Sequence, residues 1–221
     1  MIPGIRPALP DLTGVKNIIF DFGNILIDLD IPKTWRLLSD LAGDHNDSVM
    51  SVLNKNSVFE KFETGQLTEA QFILCIQAAL PGEVPATAIK NAWNAMLLGI
   101  PAKRLEMLLH LRKNFHVYLL SNTNALHLEH VYQYLKFDLG IADFDTRYFD
   151  RTFYSHLVGL RKPDREIYEF VLKEIQAEPA QTLFIDDLPE NLIAPAALGM
   201  HTYQHDPVNE ISDILLNGWY I

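Results

Sequence analysis

The 221-residue chain is predicted to fold as a doubly wound α/β protein, a parallel sheet with helices on both faces, carrying an inserted helical unit. Three observations predict this. The runs IIF (18–20), VYLL (117–120) and TLFI (182–185) are continuous rather than alternating in their apolar character, and each is followed at once by a polar residue, Asp21, Ser121 or Asp186. Strands covered on both faces of a parallel sheet read this way. Patterns of helical period separate the runs, giving the strand–helix–strand alternation of a doubly wound sheet. Residues 31–98 differ, with helical patterns and no convincing strand.

Taken in order, residues 1–14 hold three prolines and no continuous apolar stretch, so they are expected to form an irregular arm, not a leader or an anchor. The first strand ends at Asp21, and Asp28 and Asp30 read as turn or cap residues. The insertion is read as helices over TWRLLSDLAG (34–43), LTEAQFILCIQAAL (67–80) and AIKNAWNAMLLG (88–99). Thr68 and Gln71 stand at capping-box spacing in the second, and the first and third end at glycines. The boundaries follow: a core of residues 1–30 and 99–221, and a helical unit of 31–98. After Pro101, Leu105, Leu108 and Leu109 fall at helical spacing. Pro163 is expected in the first turn of a helix with Ile167, Phe170, Val171 and Ile175 on one face. ENLIAPAALGM is a helix stopping at Gly199, and a short last strand lies near HTYQH (201–205).

With 48% apolar and 21% charged residues the composition is that of a soluble globular protein, and a net charge of −10 disfavours nucleic acid or an anionic membrane as partner. The one cysteine, Cys75, permits no intramolecular disulfide and sits in an apolar helical pattern. With no run of membrane length, the expected setting is a reducing one, cytoplasmic, with the chain a monomer or homodimer.

In doubly wound folds, ligands bind outside the carboxyl ends of the strands. Asp21, Ser121 and Asp186 are all placed there. In order along the chain stand FDFGN with Asp21, LLSNTN with Ser121, RKPD with Lys162, and FIDDLPEN with Asp186 and Asp187. This series resembles the haloacid dehalogenase superfamily in its phosphatase branch, and 31–98 sit where that family carries a cap. The DxGN form of the first motif is similar to that of a subset of bacterial sugar-phosphate phosphatases. The segment FIDDLPENLIAPAALGM resembles the phosphatase domain attached to some epoxide hydrolases.

The chemistry of the residues stands beside the resemblance. Asp21 can attack phosphorus and form an aspartyl-phosphate. Three carboxylates facing a phosphate call for a divalent cation, and Mg²⁺ suits a site of one or two carboxylates, waters and a phosphate oxygen. Asp21 and Asp187 are the expected ligands, with Asp186 left open. The resemblance adds the backbone carbonyl of Gly23. The Ser121 hydroxyl and the Asn122 backbone N–H are expected to hold phosphoryl oxygens, with Asn24 beside them, and Lys162 to balance charge.

One departure stands out. Most phosphatases of the family carry, two residues after the nucleophile, a second Asp that protonates the leaving oxygen. Here that position is Gly23. The expected activity is Mg²⁺-dependent hydrolysis of a small phosphorylated metabolite, a sugar phosphate favoured, with a sugar 1-phosphate as a candidate. The alternatives are a metal-free 2-haloacid dehalogenase and a binding or regulatory module that has lost turnover.

Overall fold

The computed structural model describes residues 12–43, 49, 51–53 and 57–217. Most of the expected N-terminal arm and the terminal GWYI lie outside the described residues. The main sheet has five parallel strands in the order β5-β4-β1-β6-β7: β1 Asn17–Phe20, β4 His116–Ser121, β5 Arg151–Tyr154, β6 Thr182–Asp186 and β7 His201–Gln204. The three apolar runs are its three inner strands. Their continuity has a direct cause, since alternate residues feed cores on opposite faces. Ile18, Phe20, Val117, Leu119, Leu183 and Ile185 pack on one face. Ile19, Tyr118, Leu120 and Phe184 pack on the other.

Register brings the strand ends level. Phe20 lies opposite both Leu119 and Ile185, so Asp21, Ser121 and Asp186 emerge at one edge of the sheet. The short edge strand β5 is absent from the sequence reading. It is set by Asp150, which accepts a hydrogen bond from the Val117 amide through its side chain (2.8 Å) and returns its own N–H to the Val117 carbonyl (2.7 Å).

Residues 31–98 depart from expectation at their end. The third helix closes at Asn94, and Leu97–Gly99 form a strand, β3, antiparallel to β2 at Asp28–Leu29. The expected helix to Gly99 is therefore replaced by a two-stranded ribbon, and chain enters and leaves the helices side by side. A ribbon this short carries no visible period of two, which is why the sequence hid it. Pro163 also falls short of its expected place: the helix is Arg165–Glu174, with Asp164 at its N-cap.

The helices Ile31–Ala42, Val58–Glu63, Glu69–Gln77 and Ala86–Asn94 bury their own apolar cluster, with Trp93, Phe62 and Phe72 at its centre. Phe62 and Phe72 stack at 4.0 Å. Asp30 caps the first helix through the Lys33 amide, as its cap reading anticipates. Thr68 and Gln71 form the full capping box.

Gly65 joins these helices to the sheet domain. It has φ +71°, and a β-carbon there would collide with the His156 carbonyl oxygen. Gly65→Ala must therefore push the turn off that backbone. It is expected to cost at least ~1–2 kcal/mol for the left-handed conformation alone, read as a lowered Tm, and to raise KM more than it lowers kcat.

Candidate active site

The site is assembled at the carboxyl edge of β1, β4 and β6. Its centre is Lys162, which is 1% exposed. Its Nζ donates to Asp21 Oδ1 at 2.6 Å and to Asp186 Oδ2 at 2.7 Å. Asp187 completes a group of three carboxylates whose oxygens lie within 4.8 Å of one another. Three acids against one lysine leave net negative charge in a half-dry cleft, an arrangement that suits a divalent cation and an anionic ligand together.

Asp186 is already engaged. Oδ1 accepts from the Leu188 amide (2.9 Å) and Asn191 Nδ2 (3.0 Å), and Oδ2 accepts from Lys162 and Asn191 Nδ2 (3.0 Å). Asp187 accepts from Asn24 Nδ2 at its Oδ2, at 2.9 Å. Asn24, expected among the phosphate contacts, thus spends its amide on orienting Asp187. Asn24 has φ +55°, a left-handed conformation that asparagine tolerates better than most residues.

Asn122 uses its side chain differently from the expected backbone role. Nδ2 donates to the Lys162 carbonyl (2.8 Å) and Oδ1 accepts from the Lys162 amide (2.9 Å). It thus holds the lysine's backbone from the end of β4. Ser121 is buried at the same strand end. Asn191 was legible as a polar residue after the paired acids, but its grip on Asp186 was not. Tyr168 fixes it in turn, donating to the Asn191 carbonyl at 2.7 Å.

The charges respond to this packing. Burial pushes the Asp21 carboxyl up to about 7, with Lys162 pulling it back and Asp186 adding to the rise. Burial works against the Lys162 charge, but the two carboxylates outweigh it and hold the ammonium protonated. The Asp187 carboxyl is raised by burial, against the bond from Asn24.

Gly23 lies against the ribbon. A β-carbon there would stand 2.8 Å from Leu29 Cδ1 and 4.0 Å from Asp21 Oδ2. The close atom is the end methyl of the Leu29 side chain, which a β-carbon at 23 would have to displace.

A cavity of about 330 Å³ runs from the acids to the helices of 31–94 and is lined from both sides, by Asp21, Lys162 and Asp187 and by Trp35, Phe59 and Trp93. Arg161 and Glu63 meet in its wall at 2.9 Å, a pairing across 98 positions that no local pattern announces. His127 stacks on Trp93 at 5.4 Å and contacts the Trp93 carbonyl through Nε2 at 3.2 Å.

Burial lowers the His127 pKa from 6.5 to about 4, against the Trp93 carbonyl. Between those values the unfolded chain binds a proton that the folded chain does not, so stability falls as pH drops from 6.5 towards 4. Tm measured from pH 7 to pH 5 should fall less in His127→Gln than in the parent. The difference is on the order of 1 kcal/mol after discounting for partial exposure.

This fold and acid cluster define a hydrolase of the haloacid dehalogenase class. A model of the haloacid dehalogenase-like hydrolases matches residues 15–199, and the chain belongs to that family. It is 30% identical over 190 residues to D-ribitol-5-phosphate phosphatase of Bacteroides thetaiotaomicron, covering 86% of this chain and 91% of that protein. It is 32% identical over 193 residues to the sesquiterpene phosphatase astK of Aspergillus oryzae, covering 85% and 88%. A crystal structure of a HAD family enzyme from Bacteroides thetaiotaomicron in complex with magnesium and inorganic phosphate superposes with TM-score 0.77 at 28% identity, covering 89% of this chain and 96% of that one. The protein is thus a HAD-like hydrolase with phosphatases among its relatives. Among the described residues no helix is long and apolar enough to cross a membrane.

Proposed function

We propose that the protein is a magnesium-dependent phosphomonoesterase acting on a small phosphorylated metabolite through an aspartyl-phosphate on Asp21. The observation that carries this reading is Lys162 Nζ bridging Asp21 and Asp186, with Asp187 alongside. A dehalogenase needs no metal and gains nothing from the paired acids.

Asp21 and Asp187, with the Gly23 carbonyl, would hold Mg²⁺, which supplies positive charge against the phosphoryl oxygens when bound. Asp186, with both oxygens committed, anchors Lys162 instead. Ser121 and the Asn122 N–H hold phosphoryl oxygens, and Asn24 keeps Asp187 in place. An Asp21 oxygen attacks phosphorus, and the bond to the leaving oxygen breaks, its electron pair going with that oxygen. Water then attacks the same phosphorus and frees Asp21 and inorganic phosphate. Lys162 offsets the negative charge in both steps. The helices of 31–94 serve as a cap that closes over the leaving group.

With Gly23 and Leu29 where an acid would stand, the leaving oxygen departs with little proton help. Aryl phosphates, acyl phosphates and sugar 1-phosphates should then react faster than simple alkyl phosphates. Across a series of esters with chemistry rate-limiting, log kcat should fall steeply as leaving-group pKa rises. Gly23→Asp combined with Leu29→Ala, which makes room for the new side chain, should flatten that slope. A wild-type slope near zero would mean an acid elsewhere. Glu63, whose carboxyl burial pushes up despite Arg161, would be the first to test by Glu63→Gln.

The relatives point to two leaving groups. A polyol phosphate, close to the sugar phosphate the sequence favours, is the substrate named for one, and a sesquiterpene phosphate for the other.

A further inference from the structure

We infer that the cavity takes a phosphate monoester whose leaving group is apolar, a hydrocarbon or a ring system, in preference to a polyol. The inference rests on the phosphatase reading above and concerns the part of the cavity beyond the acids.

The walls facing away from the acids are aromatic and aliphatic. Trp35, Phe59 and Trp93 converge, Trp35 and Phe59 meeting Trp93 edge-on at 6.3 and 6.0 Å. Phe22, Leu97 and Val131 continue the lining from the ribbon and the sheet domain. Beside the nucleophile, the Leu29 side chain reaches to 2.8 Å from where a β-carbon at 23 would stand, adding an apolar group to the site. Such a surface rewards apolar area and gives a hydroxyl nothing in exchange for lost water.

Most polar groups among these walls are turned onto protein partners. His127 contacts the Trp93 carbonyl and Asn124, at 3.2 Å each. Tyr154 donates its hydroxyl to Asp145 at 2.8 Å. Arg161 is paired with Glu63. The exceptions are Trp93 Nε1 and Arg161 Nε, each buried with no hydrogen-bond acceptor among the described residues. Two donors serve one or two oxygen functions, not a chain of hydroxyls, each of which needs a partner when buried. At about 330 Å³ the cavity is near the small end of ligand sites, so a compact ring system or a folded short isoprenoid is the expected size.

The test is a substrate panel with Mg²⁺: acetyl phosphate, D-ribitol 5-phosphate, glucose 1-phosphate, 1-naphthyl phosphate and farnesyl phosphate. Farnesyl and ribitol phosphates both release ordinary alcohols, so a preference between them reports the cavity and not leaving-group basicity. Farnesyl phosphate is expected to exceed ribitol 5-phosphate in kcat/KM by ~10- to 100-fold, with naphthyl phosphate also ahead of glucose 1-phosphate. A farnesyl gain over ribitol 5-phosphate upholds the inference, with or without the naphthyl ester; a gain by the naphthyl ester alone reports leaving-group basicity and overturns it. Phe59→Asn should cut the farnesyl-to-ribitol ratio at least several-fold, but the wild-type panel decides whether or not that variant folds. Equal rates or a polyol preference, with acetyl phosphate hydrolysed, overturn the inference and leave the phosphatase reading standing. No turnover of acetyl phosphate or any ester overturns both.

Discussion

Asp21→Asn is expected to lose at least ~10²-fold in kcat while keeping its fold. The amide cannot serve as the attacking carboxylate, yet it is nearly isosteric and can still accept a hydrogen bond from Lys162. Lys162 keeps Asp186 at 2.7 Å as its counter-charge, so no buried ammonium is stranded. Removing one of three acids that share one lysine also relieves repulsion, so Tm should hold or rise. Circular dichroism and a thermal melt beside the kinetics separate loss of chemistry from loss of fold. Near-normal turnover would place the nucleophile elsewhere.

The second large effect is metal removal. EDTA should abolish hydrolysis and Mg²⁺ should restore it, because three carboxylates and one lysine cannot hold an anionic phosphoryl group unaided. Asp187→Ala should weaken Mg²⁺ binding by at least ~10-fold, by analogy with losses at supporting positions of metal sites. Asp186→Ala acts differently: it removes one of the two carboxylates on Lys162 and opens the bonds to Leu188 and Asn191, so it should lower Tm as well. Titrating Mg²⁺ calorimetrically into each variant distinguishes the two acids without relying on turnover. Full activity in EDTA would revive the dehalogenase reading.

The sequence showed the sheet well because burial on both faces leaves a mark in composition: IIF, VYLL and TLFI needed no alternation to be strands. The residue ending each run lay at the ligand edge because parallel strands in register finish level. The two-residue pairing of Asp28 and Leu29 with Leu97–Gly99 was hidden because it is fixed by the helices folding between its halves, not by local pattern. The acids and the lysine were legible as residue types in order. Their partnerships were not: Asn122 on the Lys162 backbone spans 40 positions and Asn24 on Asp187 spans 163, and no local rule links such pairs. The glycine at 23 looked like a loss in the sequence. The structure gives it a neighbour, the Leu29 side chain, whose end methyl a β-carbon there would have to displace.

Beryllium fluoride with Mg²⁺ should inhibit by imitating the phosphorylated aspartate, but the covalent step itself can be captured. Millisecond mixing of the enzyme with a saturating aryl phosphate, quenching in acid and mapping the peptides by mass spectrometry reads the intermediate directly. A phosphoryl group on the peptide containing Asp21, appearing in the first turnover and absent from Asp21→Asn, is the predicted result. Turnover with no phosphorylated peptide under conditions where product release is fast and dephosphorylation is slowed, or a label on another residue, would contradict it.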